Sequence, residues 1–252
     1  MGERLDDKGA NVKEMQSSAG GWDGYWSSVG ERPQEVFWDA EAERVGALDL
    51  DRFEGLVDRR RTLLDFGCGN GTQTRFFAGR FDKVIGVDVS EAAIELARRA
   101  TASRNGSYRV LDGLRPEQAQ ALHDEIGDVN VYVRGVFHQM SAEDRPACAS
   151  SIEAVLGMEG TLFVAELSAS AEDCLASFVA RHGGLPPGLQ RAFEFGLVAG
   201  ALRSEELDAL FPRARYDVLA LGESIIHTTH GLPEGGFMEI PALYRVLRRR
   251  RG

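Results

Sequence analysis

Three glycines stand on alternate positions in "LLDFGCGNGT" (63–72), directly behind Asp65, and Asp88 follows in "VIGVDVS" (84–90). Glycine leaves no Cβ between a ligand and the backbone and tolerates positive φ. A helix beginning at Thr72 would aim free N–H groups and its positive dipole end at the same spot. Asp88 can accept from both hydroxyls of a ribose. Asp112, in "VLDG" (110–113), can accept from the exocyclic amine of adenine. Together these residues describe a pocket for an adenosine carrying a zwitterionic or anionic tail. Two further side chains could move a proton: His138, closing "VYVRGVFH" (131–138), and Glu166, in "TLFVAEL" (161–167). Glu166 reads as a carboxylate at the pocket rim, able to act as base, hold an amine or stabilise a carbocation. Each has a plainer alternative. His138 could bond a neighbouring backbone group, and Glu166 could pair with an arginine. His227 and His230 lie three apart on a strand, hence on opposite faces, with no acidic residue at ligand spacing, so no metal site is expected. Cys68 lies inside the glycine loop, where a small side chain suffices, and no redox or nucleophilic role is assigned to it.

The elements that must position these groups follow from the apolar pattern. "TLLDF", "KVIGVDV", "YRVL", "VNVYV" and "TLFVAEL" are short apolar runs separated by helical segments. That alternation implies a parallel sheet covered on both faces. Ser90 suits the N-cap of "EAAIELARRA", and Ser141 with Asp144 resembles a capping box. Two longer strands, 215–228 and 241–249, are joined by the turn-rich "GLPEGG" and should pair antiparallel. The expected fold is a three-layer αβα sandwich in one domain, with a mostly parallel seven-stranded sheet and an antiparallel C-terminal pair. Residues 1–57 form a loosely attached start and an aromatic helical cap, and 58–168 the ligand-binding core. Residues 169–203 form an inserted helical lid, and 204–252 the closing helix and strands. In such sheets ligands bind beyond the carboxyl ends of the strands, where strand order reverses.

The 252 residues are 43% hydrophobic and 27% charged, an ordinary globular composition. A formal charge of −10 repels polyanions, so nucleic acid is not an expected partner. No apolar run approaches the roughly 20 residues that span a bilayer. Three cysteines without pair or metal spacing suit a reducing compartment, and the expected location is cytoplasmic.

A dinucleotide fingerprint needs G-x-G-x-x-G, whereas this loop is G-x-G-x-G, with Thr72 where that pattern wants glycine. The arrangement D-x-G-x-G-x-G ending the first strand resembles motif I of the class I S-adenosylmethionine (SAM)-dependent methyltransferases. "VIGVDVS", "VLDG" and "VYVRGVFH" resemble their motifs on strands two to four. The resemblance implies SAM as cofactor and S-adenosylhomocysteine as product. It implies that Gly67, Cys68, Gly69 and Asn70 wrap the methionine moiety, with Asp65 holding its ammonium directly or through water. It places Asp88 on the ribose, Val89 and Gly113 beside the adenine, Asp112 on its amine and Arg134 along the methionine. Tyr25 or Trp26 of the cap would lie near the sulfonium, where aromatic faces favour a cation. Phe178, Leu185, Phe193, Phe195 and Leu197 of the insert would wall an acceptor pocket. The resulting expectation is methyl transfer to a small, partly apolar, natural-product-like acceptor of secondary metabolism, by a monomer or homodimer. Two alternatives stay open. One is a SAM-binding protein that uses the cofactor for cyclisation or sensing. The other is a C-methyltransferase on an isoprenoid diphosphate, with Arg134, Arg181, Arg191 and Arg203 as anion partners.

Overall fold

The computed structural model describes residues 19–30, 35–100, 104–197 and 200–251. Its first strand, β1 (Leu63–Phe66), is buried along its whole length between β2 (Val84–Asp88) and β4 (Asn130–Arg134), both parallel to it. β3 (Gly106–Val110) flanks β2, and β5 (Thr161–Leu167) flanks β4. Both faces of β1, β2, β4 and β5 are covered, which is why they read as continuous apolar runs, while β3 at the sheet edge is partly exposed. The two-residue period still sorts their side chains. Leu64, Val131, Val133 and Leu162 join one core layer with α5 (Pro116–Ile126) and α6 (Arg145–Leu156). Leu63, Tyr132 and Phe163 face the other way, against Phe77 of α3 (Thr72–Ala78) and Phe53 of α2 (Ala42–Phe53). There Tyr132 and Phe163 stack with centroids 5.3 Å apart.

The seven strands run in the order β3-β2-β1-β4-β5-β7-β6. β6 (Tyr216–Gly231) and β7 (Phe237–Arg249) are antiparallel and longer than the sequence suggested, because the hairpin continues beyond the sheet to the turn near Pro233. The chain doubles back so that β7, the later strand, pairs with β5. Strand order reverses between β1 and β4, so Phe66, Asp88 and Arg134 end on one edge.

α4 (Glu91–Ala100) is capped as its sequence implies, Ser90 Oγ accepting the Ala93 N–H at 3.1 Å. The Ser141–Asp144 pair differs. Its bonds form (Asp144 N–H to Ser141 Oγ, 3.1 Å), but they close the turn ahead of α6, whose helical residues begin at Arg145. The insert comprises α7 (Ser170–His182) and α8 (Pro187–Glu194), followed by α9 (Ser204–Leu210). The insert packs Phe178 and Leu189 against Ile226 and Ile240 of the hairpin. At the other end, α1 (Ala19–Ser28) lies on α4, and Asp23 Oδ1 accepts from Ser90 Oγ (2.8 Å) and Ala92 N–H (3.0 Å). α1 begins at Ala19; residues 1–18, which make up most of the expected loosely attached start, lie outside the described ones.

Candidate active site

The carboxyl ends of β1, β2 and β4 open into one cavity of about 280 Å³. Its floor is the loop Gly67–Asn70. At Gly69, φ is +53° and a Cβ would sit 2.7 Å from the Trp26 ring. At Gly67, φ is +79° and a Cβ would meet Val136 at 2.5 Å. Backbone conformation and space both demand glycine there, so the loop presents bare main chain to the cavity. α3 adds less than the sequence implied. It is seven residues long, and the Thr72 N–H is already taken by Asn70 Oδ1 at 3.3 Å.

Asp88 braces the loop, Oδ2 accepting the Gly69 N–H (2.9 Å) and Oδ1 the Ser90 N–H (3.0 Å). An ionised carboxylate has about four acceptor positions, so each oxygen keeps one for an incoming hydroxyl. Burial raises the Asp88 pKa, and its backbone hydrogen bonds oppose the rise. Asp65, only 3% exposed, lines the same cavity and accepts from Thr74 Oγ1 at 2.5 Å. Burial pushes its pKa up to about 7; the Thr74 bond opposes this and the Asp88 charge adds to it. No basic side chain among the described residues offsets it. These two carboxylates fit a ligand that brings its own hydroxyls and positive charge. Cys68 lies beneath them, its thiol held neutral by burial and by the same two charges.

Val89, Asp112 and Gly113 line the cavity beyond Asp88. Asp112 Oδ1 accepts the Leu114 N–H at 2.9 Å, which fixes the carboxylate in its turn. Arg134 also lines the cavity, but its Nη1 donates to Asp49 Oδ2 at 2.7 Å and its Nη2 to the Ile225 carbonyl. Asp49 is 1% exposed and takes Tyr132 Oη and Arg52 Nη1 as well. The charge expected along the methionine is therefore largely spoken for by α2.

His138 lines the cavity and is 8% exposed, with Nδ1 2.7 Å from Glu166 Oε2. The expectation for Glu166 needs correcting. It is fully buried and is not at the rim, because three consecutive amides converge on it. Oε1 accepts Val136 N–H (2.8 Å) and Phe137 N–H (2.9 Å), and Oε2 accepts His138 N–H (3.1 Å). Glu166 thus folds the loop after β4 and holds the His138 ring.

Tyr25 is corrected too. It stacks on Trp38 (centroids 5.3 Å) within the cap's aromatic cluster and does not line the cavity, whereas Trp26 does. From the insert, Leu197 lines the cavity as expected. Leu175, Leu189 and Ala192 stand where Phe178, Leu185, Phe193 and Phe195 were expected. Those four pack behind them, in the apolar clusters of the lid. Arg181, Arg191 and Arg203 do not line it; Arg191 bonds Ser28 and Glu35, and Arg203 pairs with Glu206. His227 does have an acidic neighbour, Glu239 Oε1 at 3.0 Å, directly opposite on β7. Arg44 shares that oxygen, and no group of metal-binding side chains occurs among the described residues. Sequence reasoning also missed Trp38, Asp39 and Asp49. The signal for the first two was a carboxylate directly behind an aromatic run, in "FWDA".

Residues 63–160 match a family model described as "Methyltransferase domain". A solved SAM-dependent methyltransferase from Anabaena variabilis ATCC 29413 is 39% identical, with a TM-score of 0.87 over 92% of this chain and 95% of that one. Shorter stretches match curated proteins. One is the ribosomal protein L11 methyltransferase of Sodalis glossinidius, 36% identical over 34% of this chain. Another is an uncharacterized methyltransferase of Schizosaccharomyces pombe, 27% identical over 42% of this chain and 71% of that protein. The chain spans only 29% of the length of the L11 enzymes it matches. Over nearly its whole length it shares the Anabaena protein's fold and more than a third of its residues, and it belongs to the SAM-dependent methyltransferases.

Proposed function

We propose that the protein transfers a methyl group from SAM to a small, largely apolar acceptor that must lose a proton, with His138 as the base. SAM supplies a methyl already activated on a sulfonium. What remains for the protein is to bind, align, exclude water and move a proton. In this reading Asp88 accepts from the ribose hydroxyls, Asp112 from the adenine amine and Asp65 from the ammonium. Gly67, Cys68, Gly69 and Asn70 follow the methionine moiety, and Val89 and Gly113 border the adenine. Arg134, tied to Asp49, shapes the wall beside them. Glu166 keeps the His138 proton on Nδ1, leaving Nε2 as the acceptor nitrogen.

The observation that carries the reading is the His138–Glu166 contact on the cavity that the glycine loop floors. A buried carboxylate that orients an imidazole is the arrangement general-base catalysis requires. The apolar wall of Leu167, Leu175, Leu189, Ile226 and Ile240 supports a small acceptor with substantial hydrocarbon. A diphosphate acceptor finds little support, since the arginine that lines the cavity is already paired. No helix among the described residues is long and apolar enough to cross a membrane. The three cysteines are free, which suits a cytoplasmic enzyme. The test is incubation with methyl-labelled SAM and a cell extract. Label should enter small molecules, and the His138→Ala variant should transfer far less while binding S-adenosylhomocysteine normally. Label confined to protein or RNA would refute the acceptor class.

A further inference from the structure

All three tryptophans of the chain line the cavity, with Asp39 next to Trp38 among the carboxylates there. Trp38 is the middle wall. Trp22 stands at 78° to it with centroids 5.8 Å apart, and Trp26 at 85° and 6.5 Å. Tyr25, stacked behind Trp38, fixes that wall. Asp39 follows Trp38 directly and is held by Asn70 Nδ2 at 2.7 Å. Arginines do lie over rings elsewhere: Arg52 on Tyr244, Arg80 on Phe76 and Arg215 on Tyr216. Among the described residues none lies over an indole. Near Asn70, Gln73 Oε1 is buried on the cavity wall with no hydrogen-bond partner among the described residues. An acceptor left so calls for a donor. The charge balance points the same way: Asp39, Asp65, Asp88, Asp112 and Asp144 line the cavity, and Arg134 is neutralised by Asp49.

Three indoles packed edge to face, with a carboxylate beside them on the cavity lining, form a cage wall suited to an organic cation. We infer that Trp22, Trp26, Trp38 and Asp39 receive the nitrogen of an amine acceptor, whose apolar remainder lies against Leu175, Leu189, Ile226 and Ile240. This rests on the methyl-transfer reading above and names its substrate class. The step balances. The amine enters as an ammonium and gives one N–H proton to His138 Nε2. Its freed lone pair forms the new N–C bond as the S–C bond breaks, and that bond's electron pair stays on sulfur in the thioether product. The positive charge moves from sulfur to nitrogen, toward the indoles and Asp39. Burial raises the Asp39 pKa, offset in part by Asn70, Thr72 and Arg75, and an arriving cation would further favour its ionised form.

The test uses choline and its neutral isostere 3,3-dimethylbutan-1-ol, titrated by tryptophan fluorescence into the full chain saturated with S-adenosylhomocysteine. Choline should bind at least ten-fold more tightly, and Asp39→Asn, checked for its fold by circular dichroism, should bring the ratio near one. Equal binding of the two probes, or a ratio unchanged in Asp39→Asn, overturns the inference. Binding of choline only when S-adenosylhomocysteine is absent assigns the cage to the cofactor's own ammonium and also overturns it. Failure of S-adenosylhomocysteine itself to bind would instead refute the methyl-transfer reading.

Discussion

Cofactor affinity should rise with pH through the neutral range, and Asp65 sets the size of the effect. Its carboxyl is desolvated at the end of β1 and its pKa is raised from 3.8 to about 7. If only the ionised form holds the ammonium, observed affinity scales with the ionised fraction. For a pKa of about 7, that fraction climbs from roughly 0.09 at pH 6 to roughly 0.91 at pH 8, about a ten-fold gain. Asp88, raised in the same direction, adds to the slope. The sign for stability is opposite. A raised carboxyl favours the folded apo-protein below about pH 4, and that advantage is lost as pH climbs through about 7. Calorimetric titration with S-adenosylhomocysteine at pH 6, 7 and 8, in buffers of differing ionisation enthalpy, should therefore show tightening affinity and proton release on binding. Asp65→Asn keeps an oxygen for Thr74 but cannot ionise, so its affinity should be lower at pH 8 and nearly flat with pH. A dissociation constant for the wild-type protein that does not change between pH 6 and 8 would refute the reasoning.

Asp88→Ala should weaken S-adenosylhomocysteine binding by at least about 2 kcal/mol, since the Gly69 and Ser90 amides, and in the proposed reading both ribose hydroxyls, lose their acceptor; isothermal titration measures it. Gly69→Ala sets a Cβ against Trp26 at positive φ, so cofactor affinity should fall ten-fold or more while far-ultraviolet circular dichroism stays native. Glu166→Gln replaces one of two acceptor oxygens with a donor facing the amides of residues 136–138. It should cost about 2–4 kcal/mol in denaturant unfolding and lower turnover more than cofactor affinity.

The sheet and the glycine loop were legible because their causes are local. β1, β2, β4 and β5 are apolar runs, β1 and β4 followed by glycine and β2 closed by aspartate, and the need for glycine at positions 67 and 69 shows as residue type. Long-range packing hid the rest. Nothing near Glu166 in sequence announces that the amides of Val136, Phe137 and His138, some thirty residues earlier, will converge on it. The pairing of His227 with Glu239 depends on hairpin register, which the turn residues alone did not fix. The same holds for Asp49 on α2, which reaches Arg134 across 85 positions. Aromatic content marked the cap as important, but which rings face the ligand depends on how α1 sits on α4. That is why Trp26 lines the cavity and Tyr25 does not.

The strand order has a consequence for biosynthesis. β7 is threaded between β5 and β6, so β6 has no partner until β7 has left the ribosome. Ile226 and Ile240 come from opposite arms of that hairpin. During translation the nucleotide half of the cleft can close around its ligand early, while the hydrocarbon half stays open until residue 249 has emerged. A nascent chain stalled before that point would be expected to hold S-adenosylhomocysteine and lack the apolar wall against which anything is methylated.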